Sequence, residues 1–407
     1  MPAVRNACEW FRKERSWINE QHLTLCRIPA PTFLEQQRAE WMAAQFRTLG
    51  WDAKLDRAGN VIAALPGCAG SERVVVAAHL DTVLAPRISD DIRALGDGRL
   101  TGPGVADNGA GLAALLALAA VWKAARPTDQ DEPPPLLVAT VGEEGEGNLA
   151  GIRYFCRNLP ANPYSGFLVL DGPGVSHLTV RALASKRVEV NFSGPGGHSW
   201  RDAERPNPLH ALSRLVTLFI ERARPWTVLP TNGNGESKAR SSCHFGIMQG
   251  GSSINSIPAE AWAKADLRSE DASNLEALVE LLAECASEAA EIENNASAGG
   301  RVQARVREIG SRPGGQLAES SPLLTCFRAL DQHLGIRSRL DCSSTDANIP
   351  LSLGLPAVAM GAGGQGGGAH TAAEWYSPEG RELGLSRVLL AVSLLTAEGK
   401  TESADKL

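Results

Sequence analysis

Two patterns of hydrophobic and polar positions divide the chain. In the first pattern, short apolar runs of the strand type alternate with stretches in which apolar residues recur at helical spacing. The strand-like runs cover residues 59–67, 73–80, 136–144 and 165–174, and the helical stretches cover the N-terminal region and residues 34–49, 111–125 and 148–159. Strands that are apolar on both faces and alternate with helices are typical of an α/β sandwich around a largely parallel sheet.

The second pattern begins near residue 184. Apolar and polar residues now alternate as in half-exposed antiparallel strands, and two helical stretches complete a β-α-β-β-α-β order. The strand-like segments are 186–194 and 243–269, and the helical ones are 207–223 and 274–293. The first pattern returns in residues 322–335, 355–363 and 378–398. We therefore predict an α/β domain built from residues 1–184 and 301–407, with a smaller α+β domain, residues 185–300, inserted between its strands.

Composition and charge exclude several classes of protein. The chain has 407 residues, which is long for a single core and favours two domains. Its net charge is −6, and it lacks the basic tract that nucleic-acid binding requires. No apolar run reaches the length of a membrane span, and the charged N-terminus lacks the apolar segment of a signal peptide. The eight cysteines include no CxxC pair, which favours free thiols and a cytoplasmic location.

Carboxylates and histidines follow the ends of the apolar strands. They are His79 and Asp81 in "HLDT", Asp107 in "GVADNGAG", Glu143 and Glu144 in "GEEGEG", Asp171 in "LDG" and His370 after "GAGGQGGG". Taken singly, each has a structural interpretation, such as an acidic turn, a helix cap or a flexible loop. At the carboxyl ends of parallel strands, however, these groups would lie together, and the repulsion among them would require a cation. Mixed histidine and carboxylate ligands suit zinc, and less commonly manganese or cobalt.

In these motifs the chain resembles the di-zinc exopeptidases and deacylases that include peptidase T, glutamate carboxypeptidase, acetylornithine deacetylase and succinyl-diaminopimelate desuccinylase. The motifs follow the family's order over nearly the whole chain, and "GPGGHS" and "GGSSINSIPAEAWAKADLR" match its inserted domain. The resemblance implies an α/β fold of the zinc exopeptidase type with a ferredoxin-like lid and dimerisation domain. Asn108 is a departure, since many relatives have a second acidic residue there; it removes no ligand, but we expect an altered loop.

The resemblance also implies a ligand set for two divalent ions per subunit, zinc in the first place and manganese or cobalt as alternatives. His79 and Asp171 would hold one ion, Glu144 and His370 would hold the other, and Asp107 would bridge the two. Two ions about 3.5–4 Å apart would polarise a scissile carbonyl and lower the pKa of the attacking water.

Catalytic and substrate-binding roles follow from the same resemblance. Asp81 would orient the ligand histidine that precedes it, and Glu143 would be the general base. His198 would act in the partner's site of a homodimer joined through the inserted domain, where it would hydrogen-bond the developing oxyanion. Asn255 and Arg268 resemble residues that receive a substrate carboxylate or carbonyl. For these last three residues, a turn histidine, a turn residue and a salt-bridge partner are the structural alternatives.

The motifs are closest to those of peptidase T-like members, which implies an aminopeptidase acting on short peptides. An N-acyl-amino-acid deacylase, a carboxypeptidase and a hydrolytic deaminase of a small aromatic amine stay open as alternatives. A non-catalytic binding protein with this fold is a further one, but it predicts loss of Glu143 or of a ligand, and the sequence retains them all. The absence of GxSxG and HExxH motifs argues against a serine hydrolase and against the zinc proteases that carry HExxH. Neither nucleic acid nor a membrane is an expected partner.

Overall fold

The predicted segments form helices and strands close to the positions that their patterns indicate. The computed structural model describes residues 2–65, 73–125, 134–159, 164–227 and 239–404. The helices in these ranges are α1 (Pro2–Lys13), α2 (Arg15–Cys26), α3 (Gln36–Thr48), α4 (Gly109–Ala125), α5 (Ala150–Arg157), α6 (Pro208–Thr227), α7 (Ala272–Asn295), α8 (Pro322–Leu334), α9 (Asn348–Ser352) and α10 (Arg381–Ala404).

The strands in the same ranges are β1 (Asp52–Leu55), β2 (Val61–Ala64), β3 (Arg73–His79), β4 (Arg93–Ala94), β5 (Leu100–Thr101), β6 (Leu136–Thr140), β7 (Tyr164–Leu170), β8 (His177–Ala182), β9 (Ala184–Ser193), β10 (Gly197–His198), β11 (Ser241–Gly250), β12 (Ser256–Ile257), β13 (Glu260–Ser269), β14 (Gln303–Arg312), β15 (Gly315–Gln316), β16 (Arg339–Ser343), β17 (Ala357–Met360), β18 (Gln365–Gly367) and β19 (Trp375–Ser377). They belong to two compact units, residues 1–182 with 315–407 and residues 183–314.

The main sheet of the first unit has a parallel centre and antiparallel edges. Over the described residues its strand order is β1-β2-β6-β3-β7-β17-β8-β15, and β16 also pairs with β8. The central strands β6, β3, β7 and β17 run parallel to one another, whereas β1 and β2 are antiparallel to their neighbours. Every residue of β6 and β17 is buried, as expected for strands covered on both faces. The α/β fold class predicted from the sequence is therefore confirmed.

Helix α4 fixes the position of the loop that precedes it. All of its residues from Gly109 to Trp122 are buried, because its sequence is apolar on every face rather than along one stripe. The helix packs against α1, α2 and β3. A helix that is packed on all sides has little freedom to shift. The loop that carries Asp107 leads directly into this helix, so one end of the loop is held in place.

The second unit has the predicted β-α-β-β-α-β order. Its antiparallel sheet has the strand order β11-β13-β9-β14, and α6 and α7 pack against that sheet. The core between them contains Val190, Phe192, Leu215, Phe219 and Leu282. Helix α7 begins at a capping residue, since Asp271 Oδ1 accepts a hydrogen bond from the backbone N–H of Asn274 at 3.0 Å.

The predicted boundaries of the inserted domain need a correction. The sequence suggested residues 185–300, whereas the compact unit covers residues 183–314. The difference arises from β14, which pairs along its length with β9 inside the second unit. The segment 301–314 therefore belongs to the second unit rather than to the returning part of the α/β domain.

The described part of the chain also bears on the thiols and on membrane insertion. None of the cysteines within the described ranges forms a disulfide bond, and Cys68 lies outside those ranges. None of the described helices combines the length and the hydrophobicity that crossing a bilayer requires.

Candidate metal centre and active site

The first unit brings the predicted ligands to one edge of its main sheet. His79 ends β3, Asp171 directly follows β7, and the turn with Glu144 follows β6. Because these strands are parallel, their carboxyl ends meet at the same edge, where functional groups of α/β folds collect. The loops before α4 and after β17 bring Asp107 and His370 to the same place, as the contacts of their side chains show.

The carboxylate of Asp107 lies between two imidazoles. Its Oδ1 is 3.0 Å from Nε2 of His79, and its Oδ2 is 3.1 Å from Nε2 of His370. The same nitrogen of His370 is 2.9 Å from Oε1 of Glu144. Ligand atoms of His79, Asp107 and Glu144 all lie within 4.8 Å of one another. The structure thus places four of the five predicted ligands in one connected cluster.

The spacing of these atoms fits metal coordination. Two ligands bound at about 2.0–2.2 Å to the same zinc ion are separated from each other by roughly 3–3.5 Å. The N···O separations within the cluster are 2.9, 3.0 and 3.1 Å. Imidazole nitrogens and carboxylate oxygens are also the donor types that a divalent ion of this kind accepts. The residues present could therefore hold a metal ion with little rearrangement.

The surroundings of the two imidazoles favour positive charge on the rings. Burial by itself would lower the pKa of His79, but hydrogen bonds to Asp107 and Asp81 and the charge of Glu143 outweigh it and raise that pKa well above its usual value. The pKa of His370 is raised to about 9, first by its hydrogen bond to Asp107 and then, against partial burial, by the charge of Glu144. Both shifts have the same origin, which is an excess of carboxylates around the rings.

The carboxylates differ in the direction of their shifts. Burial would raise the pKa of Asp107, but its hydrogen bonds to His370 and His79 lower it. Burial raises the pKa of Glu144, and the charge of Asp107 adds to that effect. The pKa of Asp171 rises to about 7 because it is removed from water and faces Asp107 and Glu144. Asp171 is thus in electrostatic range of the cluster, and the site carries more negative charge than two imidazoles neutralise.

Asp81 connects the first ligand to the turn that carries the acidic pair. Its carbonyl oxygen is 3.0 Å from Nδ1 of His79, and its carboxylate oxygen Oδ1 is 3.5 Å from the same nitrogen. Its two carboxylate oxygens accept the backbone N–H groups of Glu143 at 3.0 Å and Glu144 at 2.9 Å. The fully buried Asp81 therefore positions both the histidine and the backbone of the turn.

Glu374 holds the loop of Asp107, and the sequence analysis missed it. Its buried carboxylate accepts three backbone N–H groups of that loop, from Gly104 at 2.8 Å, Ala106 at 2.7 Å and Asp107 at 2.8 Å. Its own carbonyl oxygen accepts the N–H of Gly102 at 2.9 Å. Glu374 lies four residues after His370, in the segment "AHTAAEW", so its sequence position was the one available signal. Glu374 thus links the two loops whose side chains meet at the cluster.

Asn108 and His22 fix the same region from other sides. The side chain of Asn108 donates to the carbonyl of Leu170 at 2.8 Å and accepts the N–H of Gly172 at 3.2 Å, so it spans the backbone around Asp171. His22 Nε2 donates to the carbonyl of Val105 at 2.7 Å. Burial first, and then the charge of Arg381, lowers the pKa of His22 to about 3, so this ring is neutral. Asn108, where many relatives have an acidic residue, therefore supports the loop of Asp107 through hydrogen bonds of an uncharged side chain.

In the second unit, His198 and Asn255 lie on neighbouring segments. His198 pairs with Ser256 in the short ladder of β10 and β12, and the carbonyl of Asn255 accepts the N–H of Ser199 at 3.0 Å. Nδ1 of the exposed His198 ring accepts the backbone N–H groups of Trp200 at 3.2 Å and Arg201 at 3.4 Å. In the neutral ring the proton is then on Nε2, which leaves an N–H donor at the outer end of the imidazole.

Arg268 lies at the other end of the same unit. It pairs in register with Ser185 of β9, whereas the end of the sheet near His198 is marked by the pair Glu260 and Ser193. At about 3.3 Å per residue along β9, the two ends are roughly 25 Å apart. Nε of Arg268 donates to Oδ2 of Asp266 at 2.7 Å, which is the salt bridge expected from the structural interpretation of this residue.

Comparison with known proteins agrees with this fold. An uncharacterized protein of Bacillus subtilis, YqjE, is 24% identical over 84% of this chain and 89% of its own. A tripeptidase from Staphylococcus aureus is structurally similar, with a TM-score of 0.70 and 21% identity over 93% of this chain and 98% of its own. An amidase of the hydantoinase/carbamoylase family from Burkholderia vietnamiensis has a TM-score of 0.67 and 17% identity over 91% of this chain and 92% of its own.

A family match covers most of the chain and includes every residue of the cluster. Residues 75–392 match peptidase family M20/M25/M40, and this range runs from β3, through the whole second unit, into α10. The chain therefore belongs to peptidase family M20/M25/M40.

Proposed function

We propose that this protein is a peptidase T-like aminopeptidase that hydrolyses the amide bond of short peptides with the help of two divalent ions, zinc in the first place. The observation that carries the proposal is the Asp107 carboxylate, which turns one oxygen to each of two imidazoles. A carboxylate in this position suits a bridge between two ions about 3.5–4 Å apart.

These contacts support a ligand set for the two ions. We assign His79 and Asp171 to one ion, His370 and Glu144 to the other, and Asp107 to both. The 2.9 Å contact between His370 and Glu144 supports their shared ion. The hydrogen bonds that join the Asn108 side chain to Leu170 and Gly172, on either side of Asp171, support the place of Asp171 beside the bridge. When bound, the two ions would polarise the scissile carbonyl and lower the pKa of the attacking water.

The protein groups around this centre supply proton transfer and charge stabilisation. Glu143 accepts the proton of the water that attacks the carbonyl carbon, and it passes that proton to the nitrogen of the leaving amine when the C–N bond breaks. Its backbone is held by Asp81, which also orients His79, so the base and the ligand keep a fixed spacing. The buried position of Glu143 limits competition from solvent.

We further propose a homodimer joined through the second unit, in which His198 acts in the partner's site. Its exposed Nε2–H could donate to the oxyanion that forms on the scissile carbonyl. We also assign Arg268 and Asn255 to the binding of a carboxylate or carbonyl group of the peptide.

Other amide hydrolases remain the alternatives. The structural neighbours include an amidase as well as a tripeptidase, so a deacylase, a carboxypeptidase or a deaminase of a small aromatic amine would use the same centre. A non-catalytic binding protein has less support, because the described residues keep the complete ligand cluster and Glu143. The cysteine thiols within the described ranges are in keeping with a cytoplasmic location.

The first prediction concerns the reaction and its base. After reconstitution with zinc, manganese or cobalt, the enzyme should cleave tripeptides faster than dipeptides, N-acyl amino acids or small aromatic amines.

Glu143→Gln should reduce turnover by roughly 10²–10⁴-fold, because it removes the proton acceptor, while the metal content stays the same. Glu146→Gln, an exposed change on the same turn, is the matched control and should keep full activity. Substantial turnover by Glu143→Gln would show that Glu143 is not the general base. A preference for another substrate class would contradict the assignment as an aminopeptidase.

The second prediction tests the action of His198 across the dimer. Inactive homodimers of His198→Ala and of Glu143→Gln are dissociated, mixed and reassociated. Random pairing makes about half of the dimers mixed, and each mixed dimer has one site with both groups, so roughly a quarter of wild-type activity should return. Each variant carried alone through the same procedure serves as the control. A mixture as inactive as the separate variants would show that His198 does not act in trans.

The third prediction concerns Glu374 as a positioning residue for Asp107. Glu374→Gln replaces one acceptor oxygen by an amide N–H₂ that faces the loop N–H groups, so the zinc affinity should fall by about 10–100-fold in competition with a chelator. Glu379→Gln, an exposed change nearby in sequence, is the control. The melting temperature of the chelator-treated protein is measured in parallel. A lower melting temperature with unchanged zinc affinity would reduce Glu374 to a general structural role.

A further inference from the structure

The segment before α3 is fastened to the catalytic edge of the first unit. Pro31 forms a parallel bridge with Thr82, and the hydroxyl of Thr32 donates to Oδ2 of Asp81 at 3.0 Å. Oε1 of Glu35 accepts the N–H of Gly142 at 3.0 Å, directly before the acidic pair. These bonds hold the segment against both the strand end of His79 and the turn of Glu143.

Phe33, between these anchors, has a conformation that its own packing does not explain. Its φ of 75° lies in the left-handed region, which is unfavourable by about 1 kcal/mol or more for residues other than glycine. Oε1 of Glu35 accepts the N–H of Phe33 at 3.0 Å and stabilises this backbone. The Phe33 side chain is nevertheless 65% exposed, and that of the adjacent Leu34 is 70% exposed. The unfavourable backbone conformation of Phe33 therefore accompanies a large apolar side chain that is exposed to solvent beside the metal centre.

A second pair of exposed apolar residues continues the same surface. Val83 and Leu84 follow Asp81 in sequence, and both keep about two-fifths of their surface in contact with solvent, at 43% and 42%. The parallel bridge of Pro31 with Thr82 places these residues beside Phe33 and Leu34. We call these four residues the apolar rim. An apolar surface bordered by the charged groups of a site is typical of ligand binding.

We propose that the apolar rim binds a large apolar side chain of the substrate, next to the scissile bond. This inference rests on the proposed peptidase function and narrows its substrate class to peptides with leucine, phenylalanine or a residue of similar size at one position. Two features of the first unit support this occupant. The rim is hydrogen-bonded through Thr32 and Glu35 to the residues that position the base, and its four exposed side chains are all uncharged.

The test uses two series of tripeptides, X-Gly-Gly and Gly-X-Gly, in which X is Leu, Phe, Gly or Asp. The wild-type enzyme should prefer Leu and Phe in one series. Phe33→Asn removes the apolar side chain but keeps a residue that tolerates the left-handed backbone, so it separates contact from strain. It should lower kcat/KM for the Leu and Phe peptides by about tenfold, mainly through KM, and change the Gly peptide by less than about twofold. Phe33→Trp should restore the preference, and Leu353→Ala, an exposed leucine outside the rim, should have no effect.

The outcomes separate this inference from the proposed function. Cleavage of the peptides without any preference for Leu or Phe, or an equal loss on all peptides in Phe33→Asn, would overturn the rim but leave the peptidase assignment intact. A change of oligomeric state in Phe33→Asn, measured by size-exclusion chromatography with light scattering, would overturn it in favour of a contact between subunits. If the metal-loaded wild type cleaves no peptide, the peptidase assignment is wrong and the rim proposal falls with it.

Discussion

The two contacts of the Asp107 carboxylate, with the imidazoles of His79 and His370, are the interactions around which the carboxyl-terminal edge of the main sheet is organised. Carboxylates outnumber imidazoles around it, and burial, together with the nearby charges of Asp107 and Glu144, raises the pKa of Asp171 to about 7. Such a concentration of charge is unfavourable unless a cation neutralises it. The arrangement is therefore suited to a metal centre, in which two divalent ions would neutralise the negative charge of the carboxylates.

The backbone around the cluster is held by directed hydrogen bonds rather than by packing alone. Glu374 accepts three N–H groups of the loop before α4, Asn108 joins that loop to the end of β7, and His22 holds it from the opposite side. Asp81 performs the equivalent task for the turn of Glu143. Because these partners are buried, each bond is costly to lose, and together the bonds fix the backbone of the loops that carry the cluster.

The sequence predicted the parts of the fold that depend on hydrophobic periodicity. The central strands and α4 are apolar enough to identify from their residues alone, and the motifs at their ends named all the side chains of the cluster. The sequence-based prediction failed where the pattern is weak. Strand β14 reads "QARVREIGSR", with few large apolar residues, and its place in the second unit depends on its pairing with β9 and its packing against α7. Glu374 was missed because its role depends on three N–H groups of a distant loop, which no local pattern reveals. The tautomer of His198 likewise depends on the fold of its turn.

We propose that the Asp107 carboxylate joins two metal ions, and zinc titration of the chelator-treated protein measures the number of ions and the part of Asp107 in binding them. Calorimetry, with total zinc verified by elemental analysis, should give two ions per chain for the wild type. Asp171→Asn should weaken one of the two sites, whereas Asp107→Asn should weaken both, because only Asp107 belongs to both ligand sets. A wild-type stoichiometry of one ion or fewer, or an Asp107→Asn variant that loses a single site while the other keeps its affinity, would show that Asp107 does not bridge two ions.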